Sequence, residues 1–111
     1  MATPLWCWRC RRTVPMLDED ELAVVSDAHR EGVLAIQAYR RRHGVGLDDT
    51  PVAALHRPVR DAYRALTGET GVAADEILNH RVSRLGPPCR SCGKPLRSPR
   101  ARLCAQCGTA A

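Results

Sequence analysis

Two Cys-x-x-Cys pairs near the end of the chain constrain its fold more than any other feature. Cys89 and Cys92 form the first pair, Cys104 and Cys107 form the second, and each pair is followed directly by glycine. Four thiolates satisfy the tetrahedral coordination of structural zinc, and a following glycine lets each turn adopt a positive φ angle. We therefore predict that these four cysteines bind one zinc ion.

Two other readings of the cysteines are open. A secreted chain could join its six cysteines in disulfides, and a lone four-thiolate site could hold iron. No basic flank followed by an apolar stretch appears at the N-terminus, so we expect no signal peptide and a cytoplasmic location, where thiols stay reduced. This favours zinc.

Length and composition predict a small helical protein with a metal module. A chain of 111 residues without phenylalanine can bury only a modest core, so bound metal is expected to add stability. We predict a mainly α fold of about three helices with a small C-terminal β zinc ribbon. The expected segments are an N-terminal Cys-x-x-Cys turn with its connector at 1–17, a helical region at 18–85 and the ribbon at 86–111. Each Cys-x-x-Cys turn is called a knuckle below.

The helices are predicted from their start signals, stop signals and apolar spacing. Asp18 and Glu21 form a capping box before an apolar three- and four-residue repeat, which predicts a helix over 19–43 that stops at Gly44. Further helices are expected over 58–66 and 73–85, with a short helical turn before the first of them. His80 then reads as a solvated helix end or, alternatively, as a metal ligand.

A third Cys-x-x-Cys, Cys7 and Cys10, has several interpretations. It could hold a second metal completed by two histidines, act as a redox pair, replace one C-terminal pair, or stay unligated. His29 and His43 lie fourteen residues apart on the first predicted helix, roughly 21 Å at 1.5 Å per residue. They cannot share one metal, so one of them would have to combine with His56 or His80.

The end of the chain is strongly basic. From Arg81 onwards there are seven basic residues and no acidic residue. Such a segment favours a polyanionic partner such as nucleic acid, although the same charges could simply offset zinc-bound thiolates. No aromatic residues are interleaved with them, which argues against base stacking. The candidate phosphate contacts are Arg90, Lys94, Arg97, Arg100 and Arg102.

We do not expect an enzyme, because the sequence contains no recognisable catalytic triad or pair of catalytic carboxylates. The leading hypothesis is a non-catalytic protein-interaction module or adaptor. A nucleic-acid-binding accessory protein is the second, and a zinc or redox sensor that uses Cys7 and Cys10 is the third. We also expect no membrane span, and homodimerisation through the first helix is a further hypothesis.

Several short motifs resemble a family of small bacterial proteins with a C-terminal four-cysteine zinc ribbon. They are Tyr63-x-x-Leu66-Thr67-Gly68, His80-Arg81-x-Ser83, Gly86-Pro87-Pro88-Cys89 and Gly93-Lys94-Pro95-Leu96-Arg97. The N-terminal Cys-x-x-Cys followed by residues 14–18 fits the same group. The resemblance implies a zinc ion on the four C-terminal cysteines and no catalytic residue.

Overall fold

The computed structural model describes residues 2–111, which form a mainly helical protein with one small sheet. Strands β1 (Thr3–Cys7) and β2 (Arg12–Met16) make an antiparallel hairpin. The helices that follow are α1 (Glu19–His43), α2 (Val52–Leu55), α3 (Arg57–Thr67) and α4 (Ala74–Ile77), with 3-10 turns at Leu47–Asp49 and Val82–Arg84. The described residues thus contain four helices rather than about three, and two of these are only four residues long.

Helix α1 begins and ends where the sequence predicts. The Asp18 carboxylate accepts a hydrogen bond from the Glu21 backbone N–H at 2.8 Å, and the Glu21 side chain accepts one from the Asp18 N–H at 3.1 Å. This reciprocal pairing satisfies amide groups that the first helical turn leaves free. At the other end Gly44 takes a left-handed φ of 63°, which stops the helix.

The predicted helix over 73–85 is wrong, because a backbone pairing ends it early. Helix α4 stops at Ile77, and Leu17 forms a parallel bridge with Arg81. The Leu17 N–H donates to the His80 carbonyl at 2.8 Å, and the Val82 N–H donates to the Leu17 carbonyl at 3.0 Å. These bonds hold Arg81 in an extended conformation, with φ −134° and ψ 140°, that an α-helix cannot contain.

The predicted C-terminal β ribbon is present only as isolated bridges. Pro88 pairs with Pro95 and Leu103 with Ala110, and no longer strand forms among the described residues 86–111. Backbone hydrogen bonds flank the first of these bridges, from the Cys89 N–H to the Lys94 carbonyl at 2.8 Å and from the Leu96 N–H to the Pro87 carbonyl at 3.0 Å. The sheet of this protein is instead the N-terminal hairpin, where the sequence predicts only a knuckle.

The chain forms two compact units. The first contains Met1–Glu21 and Asn79–Ala111, so it is built from both ends of the sequence, and the second contains Leu22–Leu78. None of the helices between residues 2 and 111 combines the length and apolar character needed to cross a bilayer. Buried apolar side chains of the second unit include Val25, Ile36, Val59, Tyr63 and Ile77.

A close contact between two elements of the second unit depends on a glycine. Gly32 of α1 lies against the ring of His56, and a Cβ atom at position 32 would collide with His56 Nδ1. The His56 ring also stacks on His29, with ring centroids 4.9 Å apart. Burial and the neighbouring His29 lower the pKa of His56, so its neutral form is favoured.

Candidate metal centres

The four C-terminal cysteines converge on one point in the first unit. The Sγ atoms of Cys89 and Cys107 are 3.6 Å apart, and those of Cys92 and Cys104 are 3.5 Å apart. All four sulfur atoms lie within 4.8 Å of one another, and all six cysteines of the chain are free thiols rather than disulfides. Two thiolates at about 2.3 Å from a tetrahedral zinc would be separated by about 3.8 Å. The cluster can therefore hold a metal ion of this kind.

Hydrogen bonds prepare individual sulfurs for the thiolate form. Cys107 Sγ lies 3.2 Å from the Thr109 hydroxyl, which in turn lies 3.0 Å from Ser91 Oγ. The Thr109 hydroxyl and backbone N–H lower the pKa of Cys107 to about 6. Backbone N–H groups of Cys92 and Ser91 also lower the pKa of Cys89. Such contacts around ligand sulfurs orient them and tune a bound metal.

The same cluster cannot ionise fully without a cation. The Lys94 backbone N–H stabilises the Cys92 thiolate, but burial and the adjacent sulfurs outweigh it and raise the pKa of Cys92 to about 11. Four thiolates this close repel one another strongly unless a positive ion lies between them. The preference for a cation follows from this arrangement, and softness of the sulfur ligands favours zinc or another thiophilic metal over magnesium or calcium.

A second cluster joins the two ends of the chain. Cys7, Cys10 and His80 bring their ligand atoms within 4.8 Å of one another, and the Cys10 Sγ to His80 Nε2 distance is 3.3 Å. His80 is fully buried, with 0% exposure, so the interpretation as a solvated helix end is wrong. Two thiolates and one imidazole can hold a metal ion and leave one coordination position for water or another group.

Only one histidine lies next to Cys7 and Cys10, whereas the sequence predicted that two histidines would complete a second metal site. Among residues 2–111, no ligand atom of His29, His43 or His56 belongs to a metal-binding cluster, and all three lie in the second unit. Cys7 and Cys10 also do not replace a C-terminal pair. A redox role gains no support from the local structure, because Cys10 is followed by β2 rather than by a helix N-terminus that would activate a thiol.

All three Cys-x-x-Cys knuckles have the same backbone geometry. In each, the residue after the second cysteine donates its N–H to the carbonyl of the first cysteine, at 2.8, 3.0 and 2.9 Å in chain order. The residue before the first cysteine pairs across the hairpin with the residue six positions after that cysteine. These pairs are Trp6 with Thr13, Pro88 with Pro95, and Leu103 with Ala110.

One position in this repeat breaks the rule that glycine follows the knuckle. Gly93 and Gly108 have φ angles of 77° and 76°, and Arg11 occupies the equivalent place with a φ of 55°. Arg11 is the one non-glycine residue with a positive φ in the described part of the chain. Because a side chain in this conformation is strained, the N-terminal knuckle carries a local cost that the other two do not.

The predicted basic residues are mostly exposed, and two of them have local partners. The Arg90 guanidinium donates to the Ala110 carbonyl at 3.1 Å. Lys94 Nζ donates to Gln106 Oε1 at 3.1 Å and lies 3.7 Å from the centre of the Trp6 ring. The side chains of Arg97, Arg100 and Arg102 are exposed.

Comparisons with protein-family models, with curated proteins and with solved structures found no match to this chain. The site is therefore interpreted from its own geometry. The sequence reasoning treated His80 as one histidine among four, and it missed Arg11 as a strained position. The absence of glycine after Cys10 was visible in the sequence and was the available signal for Arg11.

Proposed function

We propose that this protein is a non-catalytic zinc-binding module that carries two zinc ions, one on the four C-terminal cysteines and one on Cys7, Cys10 and His80. The observation that supports it most directly is the 3.3 Å separation of Cys10 Sγ and His80 Nε2, two residues that lie 70 positions apart in sequence. Metal ligands from residues 7–10 and residue 80 would cross-link the two chain segments that make up the first unit.

The cores of this unit depend on the ligands themselves. One cluster of buried residues consists of Cys7, Val14 and Met16, and a second consists of Cys89, Leu96 and Cys104. Each cluster has only three buried residues and half of these six are cysteines, so the clusters provide little burial energy. Zinc binding couples to folding in such units and supplies the missing stability. We assign a structural role to both metals, with the fourth position of the N-terminal site filled by water or another group.

The role of such a module is to bind a partner in the cytoplasm. A protein partner and a nucleic acid are the two classes left by the sequence. A specific feature favours nucleic acid: the first unit has ten basic and four acidic residues, a formal charge of +6. A four-thiolate zinc site contributes about −2 and a two-thiolate site about zero, so about +4 remains. The basic residues of the first unit therefore exceed the number that would offset the zinc-bound thiolates, and the excess positive charge favours a polyanionic partner.

Metal analysis of the purified full-length chain tests the proposal. Native mass spectrometry is expected to show two zinc ions on the wild type and one on His80→Ala, because two thiolates alone do not close a site. Cys104→Ser is the matched variant for the other site and is expected to lose the C-terminal ion. A wild type that retains a single zinc ion, unchanged in His80→Ala, would refute the N-terminal site. A wild type with iron in place of zinc would refute the choice of metal.

A further inference from the structure

A cavity on the first unit combines the two tryptophans of the chain with basic side chains. Its volume is about 380 Å³, and it is lined by Trp6, Trp8, Arg11, Arg97, Ala105 and Gln106. We call this cavity the indole–arginine site. Sites of this size commonly hold small ligands or single groups of larger ones. The N-terminal hairpin thus supplies the aromatic rings that the basic C-terminal segment lacks in sequence.

The two rings form a suitable platform for a flat aromatic group. Trp6 and Trp8 have ring centroids 6.2 Å apart and planes at 80° to each other, so a base that stacks on one ring turns its edge towards the other. Trp8 is held in place by its Nε1–H, which donates to the Pro95 carbonyl at 3.0 Å. Lys94 lies over the Trp6 ring and adds positive charge beside the cavity.

The strain at Arg11 points to a use for its side chain. Glycine would fit this position without cost, as it does after the other two knuckles, yet an exposed arginine with a φ of 55° stands there and lines the cavity. Backbone strain of this kind persists where the side chain serves a function. Arg97 lines the same cavity and is also exposed, so two guanidinium groups are available next to the rings.

We propose that the indole–arginine site binds single-stranded nucleic acid, with a base stacked on the tryptophans and backbone phosphates held by Arg11 and Arg97. This inference rests on the proposed function, since the zinc ions hold the knuckles that form the site. Charge complementarity selects a polyanion, and the rings select one with accessible bases. In a duplex the bases are stacked on each other and cannot reach the tryptophans, so a single strand is favoured.

Tryptophan fluorescence reports on this site alone, because the chain contains only these two tryptophans. The probe is an oligothymidylate of about 12 nucleotides, within the usual site size for single-strand binders. We expect it to quench the fluorescence of the zinc-loaded full-length protein. Oligouridylate is tested in parallel to compare RNA with DNA. The duplex of the same length and inorganic polyphosphate serve as controls that carry charge without stackable bases, and both are expected to quench weakly.

Substitutions separate stacking from charge. Trp6→Leu is expected to weaken binding roughly 5- to 150-fold, the effect of losing one stacked base, whereas Trp6→Phe retains most of the affinity. Arg97→Gln and Arg11→Gly are each expected to lower the slope of log K against log salt by about 0.7, which corresponds to one phosphate contact on a single strand. Arg42→Gln, an exposed arginine of the second unit, is the matched control and is expected to leave both quantities unchanged.

The outcomes distinguish this inference from the proposed function. Two zinc ions per chain without oligonucleotide binding at about 50 mM salt would overturn the inference, leave the zinc module intact and point to a protein partner. The inference would also be overturned if polyphosphate bound as tightly as an oligonucleotide of equal charge. The same holds if Trp6→Leu bound the oligonucleotide as tightly as the wild type while it retained its zinc. Quenching that is strong for the single strand, weak for the duplex and lost in Trp6→Leu supports it.

Discussion

Replacing Arg11 by glycine should stabilise the first unit, although it removes an exposed charge and a long side chain. An L-residue in the left-handed region costs about 1–2 kcal/mol, and Arg11 has a φ of 55°. Glycine removes this cost but gives the unfolded chain more freedom, which offsets about 0.5–1 kcal/mol of the gain. We expect a net stabilisation of about 0.5–1 kcal/mol, a rise in melting temperature of roughly 2–8 °C for a unit of this size.

The assay is thermal unfolding at a fixed concentration of free zinc, because zinc binding itself shifts the transition. Near-ultraviolet circular dichroism of the tryptophans reports on the first unit, which contains both Trp6 and Trp8. A lower melting temperature for Arg11→Gly, with two zinc ions still bound, would refute the argument from backbone strain. A higher melting temperature for Arg11→Gly together with weaker oligonucleotide binding would show that Arg11 improves recognition at the expense of stability.

The converse substitution is the matched control. Gly93 occupies the same place in the second knuckle with a φ of 77°, and an added Cβ would meet no atom within 4 Å. Gly93→Ala therefore introduces conformational strain without a collision and is expected to destabilise the unit by about 1 kcal/mol. Equal melting temperatures for Gly93→Ala and the wild type would mean that the positive φ carries no cost in these knuckles.

Three further predictions concern close contacts and pH. Gly32→Ala forces a Cβ against the His56 ring and should cost about 1–3 kcal/mol, measured by urea unfolding; no loss would mean that the ring moves away freely. Gly86→Ala places a Cβ against the Ser98 carbonyl, which is backbone and cannot rotate away, so a similar loss is expected in the tryptophan-detected transition. Because burial lowers the pKa of His56 below its usual 6.5, its contribution to stability is complete above pH 6.5 and is lost as the pH falls through and below that value. Unfolding midpoints of wild type and His56→Gln between pH 5 and 8 should converge at low pH if this is correct, and parallel curves would contradict it.

Local signals predicted the parts of the fold that depend on neighbours in sequence. The capping box at Asp18 and Glu21 and the stop at Gly44 place α1 over its full length. Residues 58–66 lie within α3, which ends at Gly68 with a left-handed φ of 77°. These features are set by hydrogen bonds and dihedral angles within a few residues, so no knowledge of the remainder of the chain is needed.

Local reasoning failed where a distant segment competed for the backbone. Residues 78–85 have apolar spacing suited to a helix, yet Leu17 hydrogen-bonds to His80 and Val82 and pairs with Arg81, which is extended. Propensity is a weak preference and a tertiary pairing overrides it. The same pairing sits beside His80, so the error in secondary structure and the misreading of that histidine have one cause.

The sequence by itself determined that four C-terminal cysteines can share a metal ion, because a Cys-x-x-Cys turn presents two sulfurs through local geometry alone. Only the tertiary structure decided that His80 completes a second cluster with Cys7 and Cys10, and that Trp6 and Trp8 lie beside Arg97. These partners are separated by about 70 to 90 residues. No local pattern encodes which distant segments meet, since that choice depends on the burial and hydrogen bonding of the whole unit.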